Sequence, residues 1–311
     1  MKNYRLEIIK TNIFMISELL KIVKLLQKNN IHTISFKGPS LAQVAYHDIT
    51  ARQFVDLDLL LDKKDIKKAI SILIENDYIP EDNLEYIMKK ESIFHDITLQ
   101  KNGVDFELHW RLFSNEFQVD FQKINMQNYL QQVTINGSNI FSLDNELLLI
   151  YLSIHGVKHN WERLAWLLDI AKIIQNNDIN WNKTLEIMHK TKTKSIFLTT
   201  LYLCRELFLI DLPEDIQNQL KNKKIKQLSI RQQNYFYQHF NALISKKTAS
   251  KKISKIQFDL LNSYKHKYLF ISSLLKPTEL DFQSIKLPKY LYFFYYLVRP
   301  YNILNKWIKR L

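Results

Sequence analysis

The chain has 311 residues, of which 46% are hydrophobic and 24% charged, the composition of an ordinary folded protein rather than a disordered one. Its single cysteine, Cys204, excludes a disulfide framework and a thiolate zinc site. Its four glycines are spaced too widely for a Walker A loop or a GxGxxG turn. The net charge is +13, and the whole positive excess lies in residues 183–311, which predicts a basic C-terminal region.

The two ends of the sequence bear on targeting. The first residues mix charged with apolar side chains, so we expect no signal peptide. The longest strongly apolar run near the C-terminus, Tyr290 to Val298, is far shorter than a bilayer-spanning helix. These features predict a cytoplasmic protein with no stable membrane insertion.

The first third of the chain alternates short helical and extended segments. Residues 5–28 repeat apolar positions at helical spacing, and residues 32–36 form a short extended run before Lys37-Gly38-Pro39-Ser40. We expect a short helix over residues 41–46 and a strand over residues 55–61. In this strand, acidic and apolar residues alternate first and the last residues are all apolar, as in a strand that enters a buried sheet. A further helix is predicted over residues 65–76.

Two Asn-Gly turns predict hairpins. Strands over residues 93–100 and 104–110 flank Lys101-Asn102-Gly103, and Asn136-Gly137 joins two further short strands. From residue 144 the periodicity is helical, and it predicts helices over 144–156, 161–175, 181–190, 194–209, 223–243, 255–274 and 288–310. The pattern predicts an α+β protein with a small mixed-sheet domain over residues 1–142 and an all-helical domain over residues 143–311, strongly basic from residue 183.

The strand Val55 to Leu61 carries the most informative residues. Asp56 and Asp58 are two apart, so both side chains project from the same side of the strand. Neighbouring carboxylates among apolar residues repel one another unless a cation neutralises them, and hard oxygen ligands suit Mg²⁺. The alternative interpretation is an edge strand with one solvated face.

Two other segments favour the metal-site interpretation. Gly38-Pro39-Ser40 lies between a strand and a helix, where backbone N–H groups and the helix dipole can hold phosphates. The later strand presents Asp105, Glu107 and His109 on one face. A third carboxylate on a neighbouring strand is what a two-metal phosphoryl-transfer site requires.

The order of these motifs resembles the uncharacterised nucleotidyltransferase family of the DNA polymerase beta-like superfamily. In the first third the resemblance rests on Lys37-Gly38-Pro39-Ser40, Arg52, Asp56-x-Asp58 and Glu107-Leu108-His109-Trp110. It continues through the helical part in His155-Gly156-Val157-Lys158-His159, Trp161 to Leu164, Asp169-Ile170-Ala171, Pro277 to Asp281 and Leu297 to Pro300. The resemblance implies a nucleotidyltransferase domain followed by a helical region.

The resemblance assigns the metal ligands residue by residue. Asp56 and Asp58 would bind both metals, and Glu107 would complete the site that activates the acceptor. Asp105 has similar strand geometry and is the alternative third carboxylate. The implied cofactor is Mg²⁺, or Mn²⁺ in its place.

The resemblance also implies a phosphate site. Gly38 and Ser40 take the place of the superfamily's Gly-Ser turn, which binds the β- and γ-phosphates. Pro39 between them departs from that pattern because proline has no N–H to donate. Lys37 and Arg52 are the expected triphosphate ligands, and arginine can grip phosphate through two nitrogens.

The implied reaction transfers NMP from an NTP to a hydroxyl or similar acceptor, with release of pyrophosphate. The acceptor is open between tRNA or other RNA, a protein and a small molecule. The basic C-terminal region favours RNA, with the lysine pairs Lys246-Lys247 and Lys251-Lys252 as the test patch.

Three alternatives accompany this interpretation. A non-catalytic nucleotide- or RNA-binding module is disfavoured because all three expected carboxylates are present. A membrane-surface protein anchored by the basic C-terminus and Trp307 is the second. His155 and His159 have a spacing that can bind zinc, but they lack the glutamate of an HExxH helix, and we expect a packing or hydrogen-bonding role for them.

Overall fold

The computed structural model of the chain describes residues 2–81, 84, 95–113, 121–244, 255–277, 285 and 287–308. Within these residues, seven strands form one mixed sheet in the order β3-β4-β5-β2-β1-β7-β6. Their bounds are β1 (Thr33–Ser35), β2 (Asp56–Leu61), β3 (Ile79–Pro80), β4 (Asp96–Lys101), β5 (Val104–His109), β6 (Leu130–Ile135) and β7 (Ser138–Leu143). The β2–β5 and β1–β7 pairs are parallel, and the other pairs are antiparallel.

Helices precede, interrupt and follow the sheet. They are α1 (Lys2–Lys28), α2 (Gly38–Tyr46), α3 (Ile66–Glu75), α4 (Asn145–Lys158), α5 (Leu164–Asn176), α6 (Trp181–Thr191), α7 (Lys194–Phe208), α8 (Glu214–Leu220), α9 (Lys223–Ile244), α10 (Lys255–Leu260), α11 (Tyr264–Leu274) and α12 (Tyr295–Ile308). Short 3₁₀ helices cover Lys63–Asp65, Phe121–Lys123, Met126–Tyr129 and Lys289–Phe294. The predicted α+β class, a mixed sheet followed by helices, is confirmed; the division into two domains after residue 142 stays a prediction.

Both predicted Asn-Gly turns are confirmed. Asn102 and Gly103 join β4 to β5 with φ angles of 53° and 76°, and Asn136 and Gly137 join β6 to β7 with φ angles of 47° and 75°. A two-residue turn with both φ angles positive matches the twist of the strands that it joins. The first turn matters most for the site, because it sets the register between β4 and β5.

Several predicted helices differ from the structure. Helix α2 begins at Gly38 rather than at residue 41, and α5 begins at Leu164 rather than at residue 161. The helix expected over residues 255–274 is two helices, because Asn262 leaves the helical path. Its side chain accepts a hydrogen bond from the backbone N–H of Ser195 at 2.8 Å and donates one to the Ser195 hydroxyl at 2.7 Å, which ties this segment to the start of α7. The helix expected over residues 288–310 begins instead as the 3₁₀ helix Lys289–Phe294.

Some predicted features lie outside the described residues. These include the lysines of the proposed RNA patch (Lys246, Lys247, Lys251 and Lys252) and most of the Pro277 to Asp281 motif. Among the described helices, none combines the length and apolar character needed to cross a membrane.

Strand β2 divides its side chains between the core and a polar face. Leu57 and Leu59 are almost completely buried and point to the side of the sheet opposite Asp56 and Asp58. Residues of the sheet and of the following helices belong to one continuous buried cluster. Apolar packing against the opposite face of the sheet therefore fixes the strand that carries Asp56 and Asp58.

Candidate active site

The parallel pairing of β2 with β5 brings the predicted carboxylates onto one face of the sheet. Asp56 is the register partner of Asp105, and Asp58 is the register partner of Glu107. Partner residues on neighbouring strands project from the same face, so all four carboxylates share it. Ligand atoms of Asp58, Glu107 and His109 lie within 4.8 Å of one another.

A polar cleft of about 380 Å³ opens over this face. Of the predicted site residues, those that line it are Lys37, Gly38, Arg52, Asp56 and Glu107. Asp58 lies just beneath it and is buried. Asp105 does not line the cleft, and its carboxylate accepts a hydrogen bond from Gln100 at 2.8 Å. The geometry therefore favours Glu107 over Asp105 as the third carboxylate.

Asp58 has one satisfied oxygen and one unsatisfied oxygen. Its Oδ1 lies 2.5 Å from Lys37 Nζ and 3.2 Å from His109 Nε2. Its Oδ2 is buried and has no hydrogen-bond partner among the described residues. A buried carboxylate oxygen without a donor is costly, and a cation would remove that cost. The Oδ2 atom is therefore a candidate ligand for a cation.

The residues around Asp58 stabilise its ionised form. Burial would raise the pKa of Asp58, but Lys37 and His109 outweigh burial and lower that pKa below its usual range. Burial lowers the pKa of Lys37, yet Asp58 raises it above its ordinary value. In Asp56, burial and the nearby charge of Asp58 raise the pKa. Asp58 is thus held as a carboxylate, while Asp56 is a carboxylate that a neighbouring cation would stabilise.

His109 links two of the carboxylates. Its Nε2 lies 3.2 Å from Asp58 Oδ1 and 3.2 Å from Glu107 Oε2. An ionised carboxylate only accepts hydrogen bonds, so Nε2 is the donor in both contacts. Burial lowers the pKa of His109, but these two hydrogen bonds outweigh burial and raise that pKa to about 9. The ring therefore orients both acidic side chains. The sequence placed His109 on the acidic face but gave it no role.

The amino end of α2 faces the cleft through Gly38. This residue has a φ angle of +53°, and a Cβ atom there would lie 3.3 Å from the Asp56 carbonyl oxygen. In the part of the chain that the structure describes, no side chain caps the amino end of α2. Ser40 is completely buried, its hydroxyl donates to Ser35 Oγ at 2.7 Å, and it does not line the cleft. A phosphate contact by its hydroxyl would therefore require the side chain to turn away from Ser35.

Arg52 is fixed by a residue of the helical part. Its Nε donates to both oxygens of Asp169 in α5, at 3.1 and 3.0 Å. The Tyr46 hydroxyl donates to the same carboxylate at 2.8 Å, and Asn12 donates to the Arg52 carbonyl oxygen at 2.8 Å. Both the backbone and the side chain of Arg52 are therefore held in place where Arg52 lines the cleft. The spacing of residues in the sequence did not indicate these contacts.

Aromatic and imidazole rings of the helical part line the opposite side of the cleft. His155 packs against Trp166 with ring centroids 4.8 Å apart and against His159 at 4.7 Å. Burial lowers the pKa of His155 well below its ordinary value, so this ring is neutral. These contacts fit the expected packing role, although both histidines also reach the cleft.

The sequence interpretation missed His95 and Asp96. Both line the cleft, and His95 Nδ1 lies 2.9 Å from Asp96 Oδ1. The antiparallel register pairs Asp96 with His109, so Asp96 shares the acidic face. Counting outward from the Asn-Gly turn of the hairpin would have predicted this pairing.

Comparison with known protein families identifies the class of protein that has this fold and this acidic cleft. A family model described as "Uncharacterised nucleotidyltransferase" matches residues 1–209. The chain belongs to this uncharacterised nucleotidyltransferase family, as the resemblance of its motifs indicated. No curated protein matches the sequence.

Three solved structures resemble the chain at low sequence identity. The antibiotic-resistance factor ANT(2'')-Ia in solution is 10% identical, with a TM-score of 0.43 over 59% of this chain and 94% of that chain. ANT(2'')-Ia in complex with adenylyl-2''-tobramycin is 8% identical, with a TM-score of 0.43 over 58% of this chain and 98% of that one. An antigenic nucleotidyltransferase-like protein from Paracoccidioides brasiliensis is 14% identical, with a TM-score of 0.36 over 58% and 91%. Sequence identities and TM-scores this low do not indicate the substrate of this chain.

Proposed function

We propose that this protein transfers NMP from an NTP to an acceptor hydroxyl, with pyrophosphate as the leaving group, and that the reaction depends on a divalent metal ion. The observation that carries the proposal is the unsatisfied, buried Oδ2 of Asp58, which shares a sheet face with Asp56 and Glu107. Three neighbouring carboxylates, one of which has a buried oxygen without a donor, destabilise the folded protein unless a cation neutralises them.

The ligand set fits Mg²⁺, or Mn²⁺ in its place. Asp56, Asp58 and Glu107 would hold the ions, because carboxylate oxygens are the ligands that these hard cations prefer. Bound ions would lower the pKa of the attacking hydroxyl and neutralise the charge that develops on the phosphate. The finer assignment of each carboxylate to one ion or both follows the family resemblance.

The residues of the chain bind and orient the substrates. Lys37 keeps Asp58 ionised and contacts its Oδ1, which leaves Oδ2 available to a metal ion. Gly38 lets the triphosphate approach the uncapped amino end of α2, where the helix dipole favours negative charge. Arg52 supplies a positive charge at the cleft wall, held in place by Asp169. We retain Lys37, Gly38, Ser40 and Arg52 as the proposed phosphate-binding residues.

The acceptor is proposed from charge alone. Residues 183–311 hold the positive excess of the chain, which favours tRNA or another RNA over a protein or a small molecule. The reaction would take place in the cytoplasm, where nucleoside triphosphates are available. RNA binding through phosphate contacts should weaken steeply as the salt concentration rises.

The direct test is transfer of label. The protein is incubated with each α-labelled NTP, with Mg²⁺ or Mn²⁺, and with tRNA, protein and small-molecule fractions of a cell extract. We expect metal-dependent labelling of one fraction by wild type and at least about 100-fold less labelling by Glu107→Gln. Equal labelling by the two proteins would refute the proposed site.

A second measurement separates an enzyme from a binding module. Mg²⁺ with NTP should raise the thermal unfolding temperature of wild type, because a ligand that binds only the folded state stabilises it by mass action. The Asp56→Asn/Asp58→Asn variant should fold, with lower stability because Lys37 loses its partner, and should lose most of that shift. A shift that survives in the variant would place nucleotide binding elsewhere, whereas a wild-type shift without transfer to any fraction would favour the non-catalytic module.

A further inference from the structure

A second cluster of potential metal ligands lies beside the acidic site. Ligand atoms of His95, Asp96 and His109 all lie within 4.8 Å of one another. The hairpin builds this cluster, because Asp96 is the register partner of His109 and the N–H of Trp110 donates to the His95 carbonyl oxygen at 2.9 Å. The three side chains therefore meet where β5 ends and β4 begins.

The two ring nitrogens of His109 have different surroundings. Nε2 is engaged by Asp58 and Glu107, both at 3.2 Å. Nδ1 is buried and has no hydrogen-bond partner among the described residues, in a residue only 4% exposed. A buried ring nitrogen without a partner is unusual and points to a missing ligand. This observation is independent of the ligand spacing.

We propose that His95, Asp96 and His109 form a binding site for a borderline transition-metal ion, of which Zn²⁺ is the representative, separate from the carboxylate site for Mg²⁺. Two imidazoles and one carboxylate are ligands that Zn²⁺, Co²⁺ and Fe²⁺ prefer, whereas Mg²⁺ prefers an all-oxygen set. His109 would bind the ion through Nδ1.

The hydrogen bonds of His109 match those of a metal ligand. A histidine that binds a metal through one nitrogen commonly donates its other N–H to a carboxylate, which fixes the ring orientation. Nε2 already makes that contact, with two carboxylates instead of one. When the ion binds, any proton on Nδ1 is released to solvent, and the Nδ1 lone pair forms the bond to the ion.

The site is open to solvent on its other side. The side chains of His95 and Asp96 are 16% and 28% exposed, and both line the cleft, so an ion can enter from the cleft. With three protein ligands, a further coordination position would remain for water. Through His109, the bound ion would orient Asp58 and Glu107 before nucleotide arrives.

Co²⁺ provides a test that does not depend on turnover. Co²⁺ replaces Zn²⁺ at nitrogen-containing sites and gives visible absorption that reports its ligands. We would titrate Co²⁺ into the full-length protein without nucleotide and then displace it with Zn²⁺, with the Zn²⁺ affinity measured by calorimetry. The variants are His95→Ala and Asp96→Asn, with Asp56→Asn as the control for the carboxylate site. His189→Ala, which removes an exposed histidine of α6, controls for surface binding.

We expect wild type, Asp56→Asn and His189→Ala to show the absorption of nitrogen-ligated Co²⁺, which Zn²⁺ abolishes. His95→Ala and Asp96→Asn should bind at least about tenfold more weakly, since loss of even an outer-shell partner costs that much. Thermal unfolding confirms that each variant is folded. An oxygen-only spectrum in wild type, or unchanged binding in both cluster variants, would overturn the proposal. Neither result depends on NTP binding, so failure here leaves the proposed transfer reaction untouched.

Discussion

Lys37 Nζ lies 2.5 Å from Asp58 Oδ1, and this ion pair joins the start of α2 to the centre of strand β2. The Lys37 side chain is 14% exposed and that of Asp58 is fully buried. The pair satisfies only one carboxylate oxygen, so Asp58 remains ionised with its second oxygen unused. Lys37 thus neutralises Asp58 through Oδ1 and leaves Oδ2 available to a further cation, as the proposed function requires.

The first prediction concerns the stability that this pair provides. Lys37→Met should lower the free energy of unfolding by about 1.5–3 kcal/mol, because the buried carboxylate of Asp58 loses its closer cationic donor and keeps only His109. The double variant Lys37→Met/Asp58→Asn should recover much of the loss, since it removes both charges. Urea denaturation of wild type, both single variants and the double variant measures the coupling. A loss below about 1 kcal/mol in Lys37→Met would show that water reaches the pair.

The second prediction separates the two acidic residues of β5. Glu107→Gln should reduce transfer at least about 100-fold, because a metal ligand contributes several kcal/mol to the transition state. Asp105→Asn should change it by less than about tenfold, because Asp105 accepts from Gln100 and does not line the cleft. The two substitutions are matched in chemistry, strand and face. The reverse order in a labelled-NTP assay would make Asp105 the third carboxylate.

The third prediction concerns the support of Arg52. Asp169→Asn removes the charge that orients the guanidinium, and the affinity for Mg²⁺–NTP should fall by about tenfold, or ~1.4 kcal/mol. Tyr46→Phe is the matched control, because it removes a hydrogen bond to the same carboxylate but leaves the Arg52 ion pair in place. Tyr46→Phe should lower the free energy of unfolding by about 1 kcal/mol and leave the affinity for Mg²⁺–NTP unchanged.

Equilibrium binding of NTP and urea denaturation together test this comparison. If Asp169→Asn and Tyr46→Phe weaken nucleotide binding equally, Asp169 acts through general packing of α5 on α2 rather than through Arg52.

The fourth prediction uses Cys204 as a probe of unfolding. The thiol is buried in α7, burial raises its pKa above the ordinary value, and it donates to the Leu167 carbonyl oxygen at 3.5 Å. Because only the thiolate reacts quickly, a disulfide reagent should modify the native protein very slowly and the urea-unfolded protein at once. It is the only cysteine, so the signal has one source. Rapid modification of the native protein would show that α7 opens locally.

Local patterns predicted the parts of the site that depend on strand alternation and turn chemistry. The alternation of β2 and β5 placed Asp56, Asp58 and Glu107 on one face, and the Asn-Gly turn placed β4 beside β5. A strand alternates whatever its partners are, so these features follow from short stretches of sequence.

Features that depend on distant contacts were beyond the sequence. The ion pair of Lys37 with Asp58 requires the antiparallel pairing of β1 with β2, and the pairing of Arg52 with Asp169 requires α5 to pack near α2. No spacing rule connects residues so far apart. The helix break at Asn262 could not be predicted for the same reason, because its hydrogen-bond partner Ser195 lies in another helix.

The pairing of Arg52 with Asp169 has a consequence for protein synthesis. Asp56 and Asp58 leave the ribosome well before Glu107, and Asp169 follows only after α4 is complete. A nascent chain that stops before α5 holds two repelling aspartates and an arginine without its anchor. Truncated translation products therefore lack the pairing of Arg52 with Asp169, so the part of the cleft that Arg52 lines is completed only after α5 has been synthesised.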